Sequence, residues 1–326
     1  MYAINRNLIE HACAKDPLVN RLTKIVVTGG AGFIGSNLSE ELSKEHEVVI
    51  IDDLSTGRES NIENPDVELV RGSITDLNLL KKHFRDAEYV FHLAALPSVQ
   101  QSVEDPIRAD EVNTGGTLNV LVAARDMGVS KVICSSSCAV YGDSPRLPKR
   151  EDMKPDPKSP YAVAKLAGEY YCKVFSDIYG LETVSLRYFN VYGPRQDPSS
   201  GYAAVIPNFV NRVLAGEPPV IHGDGEQTRD FVFVRDVVRA NVIAMETDAS
   251  GIFNVGTGTQ ISVNDLAETI IAAIGNRVDC IHTDSRAGDV RDSFGDISLA
   301  AEKGYAPEYG MKEGMMETIK WFRNGG

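Results

Sequence analysis

In the segment SPYAVAKLAGEYY a phenol, Tyr161, and an ammonium, Lys165, stand four residues apart behind a proline. On a helix, positions i and i+4 share one face, so both groups point into the same space. Such a pair can move protons. A free tyrosine titrates near ~10, and a neighbouring cation favours the phenolate. Lowering that value by about 3 units takes roughly 4 kcal/mol, which one partly buried ammonium and a positively charged nicotinamide could supply together. Read alone, YxxxK is also what a solvated helix surface carries, so the surrounding elements must decide.

The stretch KIVVTGGAGFIGSNLSEEL reads as a buried strand, a glycine turn and a helix. Gly29, Gly32 and Gly35 form GxxGxxG: the first permits the tight turn, the next lets backbone approach a pyrophosphate, and the last lets the helix sit close to the sheet. The helix N-terminus then offers unpaired N–H groups and a positive dipole end to phosphates. A second strand, EVVIID, ends in Asp52, near the ~20-residue spacing of a carboxylate that binds an adenosine ribose. A carboxylate there repels a 2′-phosphate and favours NAD over NADP, with Arg58 in LSTGR pulling the other way. Further strands are expected at 67–72, 88–95, 131–137 and 183–191, with helices at 76–85, 105–127 and 161–179. The alternation predicts an α/β fold, a Rossmann-type doubly wound parallel sheet. In such a sheet the ligand lies at the carboxyl ends of the strands, where the glycines, Asp52, Leu93 to Ala95, Ser135 to Ser137 and Asn190 all fall. A serine-tipped strand beside a phenol and a bound dinucleotide make a device for oxidising an alcohol.

The chain has 326 residues, 43% of them hydrophobic, enough for one large unit or two coupled domains. A net charge of −13 argues against a nucleic-acid surface while leaving room for local arginines that hold a diphosphate. No run of about 18 apolar residues suggests a membrane span, and the N-terminal stretch lacks the apolar core of a signal peptide, so a cytoplasmic protein is expected. Cys13, Cys134, Cys138, Cys172 and Cys280 show no metal spacing and fit reduced thiols, and no His, Asp or Glu cluster suggests a metal. Residues 1–22 read as an amphipathic helical extension with Ile4, Leu8, Ile9 and Ala12 on its apolar side, packed on the surface or a partner subunit. The nucleotide domain is expected over 23–195 with 231–258 returning to it, and a smaller C-terminal substrate lobe over 196–230 and 259–326.

TGGAGFIGS, HLAA, SSS with VYG, SPYAVAK, LRYFNVYGPR and QTRDFVFVRDV occur here in one order from about Lys24 onward. In them the chain resembles the extended short-chain dehydrogenase/reductase family, and within it the UDP-sugar 4-epimerases. RYFNVYGPRQDP, GYAAVIP and GDVRDS make it most similar to the branch acting on UDP-N-acetylglucosamine. The resemblance implies bound NAD, a UDP-sugar substrate and a homodimer. Tyr161 would take the proton of the sugar 4-hydroxyl, Lys165 would hold the nicotinamide ribose, and Ser137, four before Tyr141 as in SxxxYG, would bond the 4-oxygen and relay the proton. The 4-keto sugar would turn over and take hydride on its other face. The cofactor set expected on this resemblance adds Phe33, Ile34, Ser55, Thr56, Gly57, Ile74, Leu93, Ala94, Ala95, Ser135 and Phe189 to Gly29, Gly32, Gly35, Asp52 and Lys165. The substrate set is Ser137, Tyr161, Asn190, Val205, Arg229, Arg286, Asp289 and Ser293, with both arginines on the diphosphate and Arg291 either joining them or pairing with an acidic neighbour.

Two departures matter. Ser73 replaces the family's aspartate after the third strand and cannot give its ionised contact to adenine. Ser293 stands where glucose-restricted epimerases carry a tyrosine, which leaves room for a 2-N-acetyl group and predicts turnover of UDP-GlcNAc and UDP-GalNAc alongside the non-acetylated pair. A 4,6-dehydratase would need Asp-Glu where Cys138 and Ala139 stand; a UDP-glucuronate decarboxylase is the runner-up; a silent NAD sensor would be expected to lack Tyr161 or Lys165. His92 and His222 read as structural, one in a strand near the cofactor and one in a loop near the uracil. Leu118, Leu121, Val122, Tyr170, Phe175 and Ile178 exceed one buried face and are expected in a four-helix dimer interface or the core.

Overall fold

The computed structural model describes residues 22–197, 205–285 and 291–325. The expected N-terminal helix lies outside them apart from Leu22, as do Arg286 and Asp289. The first half of the chain alternates strand and helix: β1 (Lys24–Thr28), α1 (Phe33–Leu42), β2 (Glu47–Asp52), β3 (Glu68–Arg71), α2 (Leu77–Phe84), β4 (Tyr89–His92), α3 (Val99–Glu104), α4 (Pro106–Asp110), α5 (Gly116–Met127), β5 (Lys131–Ser137), α6 (Pro160–Tyr179) and β6 (Glu182–Tyr188). The second half is more broken: β7 (Asn190–Tyr192), α7 (Val205–Leu214), β8 (Val220–His222), β9 (Thr228–Arg229), β10 (Phe231–Phe233), α8 (Val234–Glu246), β11 (Gly251–Val255), β12 (Ile261–Ser262), α9 (Val263–Ile274), β13 (Ile281–Thr283), β14 (Asp292–Ser293), α10 (Ser298–Glu302) and α11 (Met311–Arg323).

Seven parallel strands form the main sheet in the order β3-β2-β1-β4-β5-β6-β11. The central strands are continuously apolar, Ile25, Val26 and Val27 being fully buried, because helices cover both faces. One face packs Leu38 and Leu42 of α1 with Val237 and Val238 of α8; the other packs Leu80 and Phe84 of α2 with Leu121 of α5 and Phe175 of α6. Leu121 and Phe175 therefore belong to the core, while Tyr170 and Ile178 are exposed. The strand order reverses beside β1, which opens the crevice where such sheets bind ligands.

The helix expected over 105–127 is interrupted at 111–115 by a π turn, and the strand expected over 183–191 leaves the main sheet after Tyr188. Residues 190–192 pair instead with β10, parallel. Around the C-terminal third, Phe209 of α7, Leu266 and Ile270 of α9 and Met315 of α11 build a separate cluster. His222 ends a strand rather than lying in a loop, and its Nδ1 meets the Thr283 hydroxyl at 3.0 Å. Among the described residues no helix is long and apolar enough to cross a membrane.

Candidate active site

A cavity of about 900 Å³ lies where the carboxyl ends of β1, β2, β4 and β5 converge, within the size range of cofactor pockets. Its floor is backbone. Gly29 has φ +74°, and a Cβ there would come within 2.5 Å of the Ala94 nitrogen; a Cβ on Gly35 would come within 2.1 Å of the Gly29 carbonyl oxygen. The glycines are therefore required by the turn and by its approach to the β4 loop. α1 starts at Phe33 with no capping side chain, leaving its first-turn amides for an anion.

Asp52 ends β2, 8% exposed. Ala31 N–H donates to Oδ2 at 2.9 Å and Leu54 N–H to Oδ1 at 2.8 Å. Burial nevertheless pushes this carboxyl above its ordinary range, against both amides. Each oxygen keeps a lone pair for a ribose hydroxyl. Glycine cradle, open amides and anchored carboxylate fit a dinucleotide, with adenosine at Asp52 and the diphosphate at α1. Of the expected cofactor residues, Gly32, Phe33, Ile34, Ser55, Thr56, Ile74, Leu93, Ala94, Ala95, Ser135, Lys165 and Phe189 line this cavity with Gly29, Gly35 and Asp52. Gly57 is not among its lining residues; a Cβ there would come within 2.8 Å of the Ala31 carbonyl carbon, so it serves the fold of the loop. Ser73 lines the cavity, its Oγ accepting from Thr75 N and Oγ1 at 3.3 and 3.0 Å.

The cavity also reaches Ser135, Ser137, Tyr161 and Lys165. α6 starts at Pro160 because Ser159 caps it, accepting from Ala162 N–H at 3.2 Å, which sets Tyr161 in the first turn. Lys165 donates from Nζ to the Ser135 carbonyl at 2.9 Å and hydroxyl at 3.1 Å. Its Nζ lies 5.9 Å from the Tyr161 ring centre, and the Ser137 hydroxyl, which accepts from Ala139 N–H at 3.1 Å, stands near enough to the phenol to favour its ionised form. Burial pushes the phenol up to about 12, against the influence of the Ser137 hydroxyl, and pushes Lys165 down to about 8, opposed by Cys134 and Glu169. The chain alone thus does not produce the acidic phenol that the YxxxK spacing suggests. Lys165 loses its proton before Tyr161 does, because desolvation acts on both groups and penalises each charge. Activation has to come from charge added to the cavity.

Asn190 opens β7, its N–H donating to the Asp230 carbonyl at 2.9 Å; Val205 opens α7; Arg229 on β9 stands opposite Ser293 on β14. These four residues do not line the cavity, although the Arg229 charge reaches Cys138, next to Ser137. Arg229 donates from Nη1 to the carbonyls of Thr228 and Arg291 at 2.8 and 3.2 Å. Arg291 pairs with Asp224 at 2.8 and 3.0 Å, the acidic-neighbour alternative of the sequence reading. His92 is buried between the hydroxyls of Thr28 and Thr117, at 2.8 and 2.9 Å.

Sequence reasoning missed a strap over the cavity. Arg195 has φ +70° and reaches Glu40 at 2.7 Å and Glu63 at 3.0 Å, and Asp197 pairs with Arg58 at 2.8 Å. The GPRQD run was the available signal, but its acidic partners are far away in sequence. The chain's single tryptophan, Trp321, also lines the cavity from α11.

A model of the NAD dependent epimerase/dehydratase family matches residues 25–256. The chain belongs to the NAD-dependent epimerase/dehydratase family. A UDP-glucose 4-epimerase of Mycolicibacterium smegmatis is 44% identical over 311 residues, covering 92% of this chain and 99% of the relative. The structure is similar to a UDP-N-acetylglucosamine 4-epimerase from Methanobrevibacter ruminantium in complex with UDP-N-acetylmuramic acid, at TM-score 0.92 and 42% identity, covering 94% of this chain and all of that one. It is also similar to a UDP-glucose 4-epimerase of Thermotoga maritima with UDP-glucose, at TM-score 0.90 and 41% identity, over 93% of this chain and 99% of that one. As a family member the protein is an enzyme whose cofactor is NAD, and the glycine cradle and Asp52 are the features of this chain that fit it. Membership agrees with the sequence-based expectation of an extended short-chain dehydrogenase/reductase fold.

Proposed function

We propose that the protein interconverts the C4 epimers of a UDP-hexose, accepting UDP-GlcNAc and UDP-GalNAc alongside UDP-glucose and UDP-galactose. The observation that carries this reading is the meeting of Tyr161, Lys165 and Ser137 at one end of a cavity fitted for a dinucleotide. Bound NAD, held by the glycine cradle and Asp52, would supply the hydride acceptor and donor for the sugar C4. Tyr161 accepts the proton of the 4-hydroxyl, and the Ser137 hydroxyl, which stands near it, relays that proton. Lys165, seated on Ser135, lowers the cost of the phenolate once the positive cofactor shares the cavity. Arg229 and Arg286 hold the UDP diphosphate by charge-assisted bonds, with Asp289 elsewhere on the nucleotide, so that recognition energy anchors the nucleotide while the keto sugar turns. The small Ser293 side chain beside Arg229 supports room for a 2-acetamido group.

The acting species is a homodimer with a cytoplasmic role. Ile107 of α4 and Ile178 of α6 are 83% and 68% exposed, and Val163, Tyr170 and Val174 continue the apolar surface along α6. A two-fold axis on this surface would bury it as a four-helix contact. Purified protein incubated separately with UDP-GlcNAc, UDP-glucose and UDP-glucuronate, with epimers resolved by chromatography, tests the assignment. Conversion of the first two supports it; release of carbon dioxide from the third would replace it with a decarboxylase.

A further inference from the structure

Behind the serine strand lies a buried ion pair that takes no part in the chemistry above. Glu169 stands one helical turn beyond Lys165 on α6, and its side chain and that of Arg187 on β6 are each 2% exposed. Arg187 meets the carboxylate fork to fork, Nε to Oε1 at 2.8 Å and Nη2 to Oε2 at 2.6 Å, and its guanidinium stacks over the Tyr141 ring at 4.7 Å. Ser136 of β5 donates its hydroxyl to the same Oε1 at 2.5 Å. Two consecutive serines thus hold two residues spaced four apart on one helix, Ser135 holding Lys165 and Ser136 holding Glu169, while Ser137 stands near Tyr161 one turn earlier.

We propose that Glu169 is a positioning residue for the reaction: fixed by Arg187, its carboxylate grips Ser136 and keeps α6 and β5 in the register that sets Tyr161 and Lys165 against their own serines. The proposal rests on the roles given to Tyr161 and Lys165 in the epimerase reading. Glu169 also bears on the charge of Lys165. Burial drives that ammonium towards neutrality, opposed first by Cys134 and then by Glu169. The other titratable neighbours are His92 on β4, which is neutral, and Tyr161 on α6. A void of about 10 Å³ bounded by Lys165, Glu169, Ser136, His92 and Thr117 is room for no more than a single water, so no other anion can take the place of Glu169.

Variants of the full-length, NAD-loaded protein test this. Ser136→Ala leaves the ion pair intact and removes the grip; kcat falls about tenfold while KM for the UDP-sugar and the NAD content stay the same. Glu169→Gln keeps the shape and removes the charge; the alkaline limb of kcat moves down by about one pH unit. The midpoint at which Lys165 loses its proton moves with it, read by NMR from a carbon-13 lysine signal identified by its absence in Lys165→Met. Glu169→Asp keeps the charge and restores the alkaline limb. If Glu169→Gln does not fold with Arg187 unpaired, Ser136→Ala carries the test alone. Wild-type kcat in Ser136→Ala, or an unmoved Lys165 midpoint in folded Glu169→Gln, overturns the proposal alone. Full turnover by Lys165→Met overturns the assignment of that lysine and the proposal together.

Discussion

Lys165 reaches back thirty residues to seat its ammonium on both the carbonyl and the hydroxyl of Ser135, at 2.9 and 3.1 Å. That bond fixes the head of a long, flexible side chain in the wall of the cavity before any substrate arrives, so its ordering cost is met by the fold.

Tyr161→Phe removes only the phenolic oxygen. The variant should keep its NAD, measured as dinucleotide released on denaturation, and lose on the order of 10² to 10⁴ in turnover. Near-normal epimer exchange would show that another group takes the proton.

Ser293→Tyr restores a bulky side chain beside Arg229. UDP-GlcNAc turnover should fall by about 10- to 200-fold while UDP-glucose turnover stays within a fewfold, measured as kcat/KM for each sugar. Equal losses on both sugars would remove Ser293 as a selector.

Arg58 lines the cavity, as Asp52 does, but is held by Asp197. The pair is partly exposed and contributes only about 0 to 1 kcal/mol of stability. Asp197→Asn should therefore fold normally while weakening one of the holds on Arg58 and letting it turn towards a ribose 2′-phosphate, raising NADP affinity about tenfold in a binding titration. Unchanged discrimination would place the whole preference on Asp52.

His92 is buried as a neutral ring and its pKa is pushed down to about 3 by desolvation. Below ~6.5 the unfolded chain takes up a proton that the folded chain refuses, so the contribution of His92 is intact above that pH and is lost as pH falls towards about 3. The expected slope is ~1.4 kcal/mol per pH unit. Urea unfolding of wild type and His92→Gln across acidic pH checks it; identical slopes would refute the assignment.

Ile178→Glu places a charge on the apolar face of α6 without entering the core, since Ile178 is 68% exposed. Light scattering should report monomer for the variant and dimer for wild type. A dimeric variant would mean that the contact lies elsewhere.

The glycine-turn side of the candidate site, as residues that meet around one cavity, was legible because it is local. Gly29 to Gly35, Asp52 and the Tyr161/Lys165 pair each sit within one strand–turn–helix or one helical turn, where spacing alone dictates position. What remained hidden depends on chain segments far apart. Ser136 and Glu169 are 33 residues apart, and Arg58 and Asp197 are 139 apart; no periodicity connects either pair. Nor does spacing report solvent access. The apolar excess on α5 and α6 was readable, but its division between core positions such as Leu121 and Phe175 and exposed ones such as Ile178 depends on which neighbours cover each helix. Burial likewise shifts the proton affinities of Tyr161 and Lys165, upward for the phenol and downward for the ammonium, which the i, i+4 pattern alone cannot supply.

The seventh strand of the main sheet, Gly251–Val255, is made long after its neighbour Glu182–Tyr188, with the β7 to α8 excursion between them. During synthesis the edge of β6 must wait, with its backbone donors and acceptors unpaired, until roughly three quarters of the polypeptide has left the ribosome. The cavity walls can form early, but the sheet behind them closes late, so premature termination after residue 195 would leave a sticky, aggregation-prone fragment rather than a working nucleotide-binding half.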